Sequence, residues 1–162
     1  MKKLLSALLS ICLIMCLFGC HQESDTPQGT PFYYCKKDPS YQEDSTALTA
    51  EYRTDALDQS FNEVMEIYLQ GPQSAALYSP FPDDLRLIGV HQENGVIYLT
   101  FSRELSQLSG LSLTMACSCI TLTALTLTGA NQAEIRCVTG LLDGQRSIIM
   151  DKDTLLLLDT AS

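Results

Sequence analysis

Residues 87–102 read LIGVHQENGVIYLTFS, and this stretch decides the fold. Asn94-Gly95 at its centre is the strongest short-range signal for a β-hairpin, because a type I′ turn needs positive φ at both of its central residues. Residues 96–101 are β-branched and aromatic, which favours a strand. We therefore predict an antiparallel hairpin in which residues 85–91 pair with residues 96–101.

Before the hairpin, apolar side chains recur with the spacing of one face of an α-helix. They are Leu57, Phe61, Val64, Met65 and Tyr68. Thr54 or Asp55 could cap the first turn, where the negative charge of Asp58 is also favourable. Gly71 can take the left-handed position after the last turn, and Pro72 cannot continue a helix. The pattern predicts a helix that begins near Asp55 and ends before Gly71.

The long apolar stretch after the hairpin, residues 111–127, allows two interpretations. Leu111, Leu113 and Met115 alternate with polar residues, and threonines are frequent, which favours a strand. However, the stretch is long and holds no turn residue, and Leu111, Met115 and Leu122 also share a helical face. Propensity alone favours the strand.

Shorter elements flank these segments. Residues 31–35 are aromatic and strand-like, whereas residues 38–54 are mixed and polar and are predicted to form a loop. Residues 133–142 alternate and run into Asp143-Gly144, which predicts a strand followed by a turn. The apolar block at residues 155–158 could be a final edge strand.

The N-terminal residues have the pattern of an export signal. Two lysines precede a 15-residue apolar run at residues 4–18, which is long enough for a signal peptide and shorter than the roughly 20 residues that a spanning helix needs. The run closes with LFGC at residues 17–20, which resembles the lipobox of bacterial lipoproteins. In that motif Gly19 fits the peptidase subsite and Cys20 receives the lipid. The alternative is an uncleaved N-terminal anchor, and either interpretation places the domain outside the cytoplasmic membrane.

The chain is therefore predicted to have four segments. Residues 1–19 are a lipoprotein signal peptide, and residues 20–30 contain the lipidated cysteine and a flexible tether. Residues 31–146 form one folded domain, and residues 147–162 are a C-terminal extension. The nine polar residues 21–29 of this tether span no more than about 30 Å, so we expect the domain to work close to the membrane surface.

The order of these elements resembles the GerMN domain, a sporulation and spore germination module named after the lipoprotein GerM. The resemblance covers residues 31 to about 146 and rests on a series of short motifs. They are PFYYC at residues 31–35, YLQGP at 68–72, PFP at 80–82, LIGV at 87–90, NGVIYLTFS at 94–102 and LDG at 142–144. GerM carries two such domains, whereas this chain has room for one.

The resemblance implies an α/β sandwich in which two helices pack on one face of a mixed sheet, in the order β-α-β-β-α-β, similar to the ring-building motifs of secretion and sporulation complexes. It also implies a helix at residues 111–127, and burial on most sides would explain why that segment is apolar nearly all round. Members of the family are non-catalytic envelope proteins, often lipid-anchored and joined in assemblies. We therefore expect neither enzymatic activity nor a cofactor.

Composition and charge exclude several classes of function. The 162 residues include 10 basic and 19 acidic side chains, for a net charge of −9. An acidic chain without a basic patch repels phosphate backbones, so nucleic acid is not an expected partner. No nucleophile elbow, phosphate loop or dinucleotide fingerprint occurs in the sequence. Asp83 and Asp84 would point to opposite faces of an extended chain, and the acidic residues at 151–153 lack the Gly and the distal Glu of an EF-hand loop.

Four cysteines lie in the predicted domain, and an exported protein could pair them. A bridge between Cys35 and Cys137 on neighbouring strands is one option. Cys117 and Cys119 are too close in sequence for relaxed disulfide geometry, and on a helix they face nearly opposite ways. The alternative is that all four are buried free thiols acting as small hydrophobic side chains. No metal site is expected, since Cys-x-Cys together with His91 is not a zinc spacing.

These observations favour a membrane-anchored envelope lipoprotein that acts through protein–protein contacts, with a possible role in sporulation or germination. Its expected partners are the membrane, through Cys20, and other envelope proteins or a second copy of itself. The acidic face of the first predicted helix could steer a basic partner. The alternative is a lipoprotein that binds a small ligand or a cell-wall glycan in a pocket lined by Tyr33, Tyr78 and Tyr98.

Overall fold

The computed structural model describes residues 28–38 and 47–156. The first of its two sheets has three strands. They are β1 (Thr30–Lys36), β2 (Leu48–Arg53) and β3 (Leu77–Tyr78). β1 lies in the middle and pairs antiparallel with both neighbours. Because β3 has only two residues, it covers just the end of β1, where Cys35 opposes Tyr78.

Helix α1 (Phe61–Leu69) lies between β2 and β3 in the chain. Its N-cap is Ser60, so the expected cap at Thr54 or Asp55 is wrong. The backbone N–H and the hydroxyl of Ser60 donate to Glu63 Oε2 at 2.9 and 2.6 Å. This contact between the N-cap residue and the third helical residue satisfies a backbone donor at the helix start, which neither Thr54 nor Asp55 does.

The C-terminal end predicted for α1 is confirmed, and most of its predicted apolar face is buried. Gly71 follows the last turn with φ +95°, a conformation that favours glycine. The buried side chains of the helix are Val64, Met65 and Tyr68. Leu57, which was expected on the same face, lies before the helix and is 48% exposed. The buried stripe therefore starts one turn later than the sequence pattern predicts.

The second sheet has four strands in the order β4-β5-β6-β7. They are β4 (Leu87–Glu93), β5 (Val96–Phe101), β6 (Gln132–Cys137) and β7 (Ile148–Asp151). β5 and β6 run parallel and the other two pairs are antiparallel, so the sheet is mixed. A parallel pair needs a crossover connection, which is supplied by a short 3₁₀ helix (Arg103–Gln107) and helix α2 (Gly110–Thr128). Helix α3 (Lys152–Leu156) follows β7.

The hairpin predicted from Asn94-Gly95 is confirmed by the pairing of β4 with β5. The backbone has φ +52° at Asn94 and +79° at Gly95, as a type I′ turn requires. A Cβ atom at Gly95 would lie 3.0 Å from the side-chain Nδ2 of Asn131, so the loop before β6 packs closely on this turn. The resulting register places His91 directly opposite Tyr98.

The ambiguous stretch at residues 111–127 is part of helix α2, as the family resemblance implies and against its strand propensity. α2 contacts β1 of the first sheet and β5, β6 and β7 of the second, so it is covered from two sides. Its buried side chains are Leu113, Ala116, Cys117, Ser118, Cys119, Ile120, Thr121, Thr123, Ala124 and Leu125. Within the described ranges α2 is the one helix long and apolar enough to cross a membrane, but its contacts are those of a core helix.

The expected α/β sandwich with a mixed sheet is confirmed. The predicted series of strands and helices is present, with β2, β3, β7 and α3 in addition. The structure differs from the expected single sheet in one respect: β1 belongs to a separate three-stranded sheet. Because α2 packs against both sheets, it joins β1 to the rest of the core.

Two local predictions are wrong and a third is right in part. The expected loop at residues 38–54 contains β2, an edge strand, and polar side chains are tolerated at an exposed sheet edge. The strand expected at residues 133–142 is present as β6 but ends at Cys137, and the turn predicted at Asp143-Gly144 is confirmed, with φ +50° and +82°. The final edge strand is β7, because β7 pairs with β6, whereas Leu155 is in α3. Residues 157–158 of the predicted edge strand lie outside the described residues.

Four aromatic rings join β1, α1 and the loop before β4 into one cluster. The centroid of the Tyr68 ring lies 5.1 Å from those of Phe32 and Tyr34 and 5.0 Å from that of Phe81. Phe32, Tyr34 and Tyr68 are fully buried. Because α1 makes few other contacts with the strands, these rings are its main attachment to the first sheet.

On the part of β1 that β3 does not cover, the backbone groups of Tyr33 form hydrogen bonds with side chains of α1 and α2. The backbone N–H of Tyr33 donates to Thr123 Oγ1 of α2 at 3.0 Å. The Tyr68 hydroxyl of α1 donates to the carbonyl oxygen of Tyr33 at 2.9 Å. Burial raises the pKa of Tyr68, so this hydroxyl stays protonated and able to donate. The two bonds satisfy both backbone groups of Tyr33, which would otherwise be unpaired at this edge of the strand.

Arg53, at the end of β2, anchors the turn that leads to α1. It is 6% exposed, and its Nε and Nη2 donate to the two carboxylate oxygens of Asp55 at 2.9 and 2.6 Å. Its Nη1 lies 3.8 Å from Glu51 Oε2, and its Cζ lies 6.0 Å from the centroid of the Phe32 ring. The hydrogen bonds from Arg53 lower the pKa of Asp55 below its usual value.

We expect Asp55→Asn to lower the melting temperature at neutral pH, with the difference from wild type closing as the pH falls below about 4. The Asp55 carboxyl has a lower pKa in the folded chain than in the unfolded chain. Its stabilising contribution is therefore present above the unfolded pKa and is lost as the pH falls through the folded value. Thermal unfolding across this pH range checks the expectation, with Asp58→Asn in the same turn as the control. A difference that does not change with pH would contradict it.

Candidate interaction surface

The solvent-facing side of the four-stranded sheet, here called the outer sheet face, carries a mixed set of aromatic, charged and aliphatic side chains. Along β5, Ile97 and Leu99 are buried, and Tyr98 between them faces the other way because successive strand residues alternate. β6 alternates in the same manner. The outer sheet face consists of His91, Tyr98, Glu134, Arg136 and Ile149. The strand registers place four of them, His91, Tyr98, Glu134 and Ile149, in one row across the sheet.

The side chains at the centre of the outer sheet face hold one another in fixed positions. The rings of His91 and Tyr98 are stacked, with centroids 4.3 Å apart and an angle of 2° between their planes. The Cζ atom of Arg136 lies 5.7 Å from the centroid of the Tyr98 ring. Arg136 Nη2 also lies 2.6 Å from Glu134 Oε1. Tyr98 is thus flanked by an imidazole and by a guanidinium that pairs with a carboxylate.

This surface combines the properties of a recognition patch. Tyr and Arg are enriched at protein interfaces, and here they stand on paired strands that are rigid before any partner arrives. Ile149 on the edge strand β7 is 53% exposed, which adds an apolar group at the end of the row. The arrangement can stack, donate hydrogen bonds and bury apolar area at once.

The four cysteines of the described ranges are free thiols. Cys35 lies against Cys119 of α2, with 3.8 Å between the two Sγ atoms. Cys137 instead contacts the carbonyl oxygen of Ser102 at 3.3 Å. The bridge between Cys35 and Cys137 that the sequence left as one option is not formed here, because β1 and β6 belong to different sheets and are not neighbouring strands, and the four thiols match the alternative of buried free cysteines. Cys20 lies outside the described residues.

The carboxylates that the sequence analysis weighed as candidate sites lie in a turn and at a helix cap. Asp83 and Asp84 are exposed in a turn, and Asp84 has φ +60°. Asp151 Oδ1 accepts hydrogen bonds from the backbone N–H and the hydroxyl of Thr154, both at 2.7 Å, and so caps α3. No group of three or more His, Cys, Asp and Glu side chains within the described ranges could hold a metal ion.

The acidic face expected on the first helix is only partly on that helix. Glu63 serves the N-cap, as described above, and the hydrogen bonds from Ser60 lower the pKa of its carboxyl. Glu66 is exposed, and Asp58 lies before the helix. The expected acidic face is therefore reduced to Glu66 on the helix and Asp58 in the turn before it.

The three tyrosines of the expected ligand pocket lie apart in the fold. Tyr33 is half-buried in β1, and Tyr78 is 43% exposed on β3, both in the first sheet. Tyr98 lies on the outer sheet face of the second sheet. A surface depression of about 630 Å³ at the end of β6 has Glu134 and Arg136 in its wall and none of these tyrosines.

The outer sheet face was not predicted from the sequence, although half of it could have been. The Asn94-Gly95 turn sets the register of the hairpin, and that register alone pairs His91 with Tyr98. Glu134 and Arg136 enter the surface through the parallel pairing of β5 with β6. No local signal fixes that register, since the two strands are separated by α2.

The family model of Germane, described as sporulation and spore germination, matches residues 31–147. The chain belongs to the Germane family. The match covers most of the sequence and confirms the resemblance to GerMN domains. Among curated proteins, none matches this chain significantly.

Two solved structures share the fold of this Germane domain. The first GerMN domain of the sporulation protein GerM from Bacillus subtilis superposes with a TM-score of 0.54 at 14% identity, over 75% of this chain and 92% of that one. The tandem GerMN domains of the same protein match with a TM-score of 0.50 at 13% identity, over 67% of this chain. The matched region spans 38% of the tandem structure, so this chain covers less than half of that structure's length.

Proposed function

We propose that this Germane-family protein is a lipoprotein of the cell envelope, anchored in the membrane through Cys20, that works as a non-catalytic interaction module in sporulation or germination. Its domain binds other envelope proteins or a second copy of itself through the outer sheet face. Family membership supports the biological process. The export pattern and the LFGC motif at residues 17–20 support the anchor.

The observation that carries the interaction role is the outer sheet face, on which His91, Arg136 and Ile149 are exposed and Tyr98 is half-buried. Tyr98 stands between His91 and Arg136, and Ile149 lies exposed at the edge of the same surface. Interfaces concentrate their binding energy in a few aromatic and arginine side chains held in place before binding. A short tether to the membrane would hold this surface within reach of other anchored proteins.

The polar contacts of the domain support the non-catalytic part of the proposal. Asp151 and Glu63 take part in helix caps, and Asp55 pairs with Arg53. His91 is stacked on Tyr98. Each of these groups has a structural partner and none of them is aligned with a nucleophile, whereas catalysis would need a nucleophile, a base and a group that orients the base.

A photo-reactive residue at position 149 tests the interaction surface. We expect p-benzoyl-phenylalanine in place of Ile149 to cross-link, in cells, to one or two discrete envelope proteins or to a second copy of the chain. The same residue in place of Leu57 is the matched control, because Leu57 is also aliphatic, is 48% exposed and lies away from the outer sheet face. Products are compared after purification from detergent-solubilised membranes.

The cross-link should disappear when the outer sheet face is altered without unfolding the domain. Tyr98→Ala removes the central ring, and the photo-reactive residue stays at position 149. Loss of the product in Tyr98→Ala, with a melting transition that shows the domain still folded, supports the proposal. Equal products from positions 149 and 57, or none from either, would overturn the proposed interaction surface.

A further inference from the structure

Two buried thiols meet where α2 packs on β1. The Sγ atoms of Cys35 and Cys119 lie 3.8 Å apart, close to van der Waals contact. Cys35 is 1% exposed and Cys119 is fully buried. Disulfide formation requires the two sulfur atoms to approach to about 2.05 Å, so the separation has to close by less than about 2 Å.

The other two cysteines in the described ranges have different surroundings. Cys117 is two residues from Cys119 on the same helix, so its side chain points to nearly the opposite side of α2. Cys137 belongs to the second sheet, where its Sγ contacts Ser102 O at 3.3 Å and Thr139 Oγ1 at 3.0 Å. The fold therefore brings together one specific pair among these four thiols.

The two thiols of this pair are chemically unequal. The hydrogen bond with Cys119 lowers the pKa of Cys35, and the same bond together with burial raises the pKa of Cys119. Cys35 also lies directly opposite Tyr78 of β3. Since β3 has only two residues, its local separation from β1 would give an external reagent access to Cys35.

We propose that Cys35 and Cys119 form a disulfide in the exported protein and so fasten α2 to β1. The inference rests on the proposed function in one respect, because a disulfide persists only in an oxidising space outside the cytoplasm. The bond would link residues 84 positions apart in the chain. It would join the first sheet to helix α2, which also packs against the second sheet.

The reaction is a thiol–disulfide exchange whose oxidant is an extracytoplasmic protein disulfide or a low-molecular-weight disulfide. The thiolate of Cys35 attacks one sulfur of the oxidant, forms a mixed disulfide and releases a thiolate. The thiol of Cys119 loses its proton and its sulfur attacks Cys35 Sγ, which releases the second oxidant thiolate. The two protein thiols lose two electrons and two protons, and the oxidant is reduced to two thiols.

A redox titration of the full chain in detergent tests the pairing directly. The probe is oxidised and reduced glutathione at varied ratio, followed by alkylation of free thiols and peptide mapping under non-reducing conditions. We expect a cross-linked peptide that contains Cys35 and Cys119, and a melting temperature about 10 °C above that of the reduced chain. Cys119→Ala should abolish both effects, and the matched Cys117→Ala variant should retain both.

The same mapping on protein extracted from cells separates this proposal from the proposed function. Membrane-fraction protein with the Cys35–Cys119 peptide supports the disulfide, whereas membrane-fraction protein with both thiols alkylated overturns it and leaves the anchor intact. Protein found only in the cytoplasmic fraction contradicts the proposed function instead, and the glutathione titration then decides the pairing alone. A titration in which Cys117→Ala loses the cross-link or Cys119→Ala keeps it would also overturn the pairing.

Discussion

Replacing Tyr68 by alanine is expected to lower the free energy of unfolding by about 3–5 kcal/mol, the usual cost of deleting a fully buried aromatic ring. The Tyr68 ring packs against Phe32, Tyr34 and Phe81, with centroids 5.0–5.1 Å away. Its hydroxyl also donates to the Tyr33 carbonyl at the uncovered edge of β1. Removal of the side chain therefore leaves a cavity between α1 and the first sheet, together with an unsatisfied backbone acceptor. Urea unfolding followed by circular dichroism measures the change.

Tyr68→Phe separates the two contributions. It keeps the ring and removes only the hydrogen bond, so we expect a loss of about 1–2 kcal/mol. Phe61→Ala on the same helix is a further comparison, because Phe61 is only partly buried and its removal should cost less than that of Tyr68. If Tyr68→Ala and Phe61→Ala were equally destabilising, Tyr68 would not be the main attachment of α1.

The second large effect concerns membrane attachment. We expect Cys20→Ala to abolish lipid labelling of the protein and to move nearly all of it from the membrane fraction to the soluble extracytoplasmic fraction or the medium. Two acyl chains on one cysteine give stable anchoring, because each buried methylene contributes about 0.8 kcal/mol. Fractionation with immunoblotting, and metabolic labelling with a radioactive or alkyne-bearing fatty acid, measure the result.

Cys16→Ala is the matched control for this experiment. Cys16 lies in the same apolar run, but Met15 precedes it where the lipobox has a small residue. The variant should stay lipid-labelled and membrane-bound. Unchanged labelling in Cys20→Ala would mean that Cys20 is not the attachment site, and loss of labelling in Cys16→Ala would contradict the lipobox assignment.

The elements that sequence reasoning recovered are those whose signals are local. Asn94-Gly95 predicted the hairpin because its turn geometry depends on those two residues alone, and Gly71-Pro72 predicted the end of α1 for the same reason. The start of α1 was misplaced because Thr54, Asp55 and Ser60 are all acceptable caps. Ser60 is followed by Glu63 at the spacing of a capping box, a sequence signal that selects Ser60 and that the apolar pattern beginning at Leu57 overrode in the prediction.

The candidate sites also divide into features that local sequence predicts and features that depend on the tertiary structure. Sequence spacing showed that Cys117 and Cys119 cannot pair with each other, but it could not choose between Cys35 and Cys137 as the strand partner of either. The choice depends on which sheet each strand joins, and the structure places Cys35 beside Cys119. The outer sheet face depends likewise on the parallel register of β5 and β6, which lies beyond the reach of any short motif.

The sequence by itself determined the export pattern, the family, the hairpin and the acidic character of the chain, because each of these is a property of short segments or of composition. The tertiary structure decided the rest. The strand propensity of residues 111–127 is overridden because a helix in that position buries its apolar side chains against two sheets at once, and burial of a whole segment outweighs propensity differences of a fraction of a kcal/mol per residue. That same helix brings Cys119 to Cys35 and sets β6 parallel to β5, so the dithiol and the outer sheet face both follow from its packing.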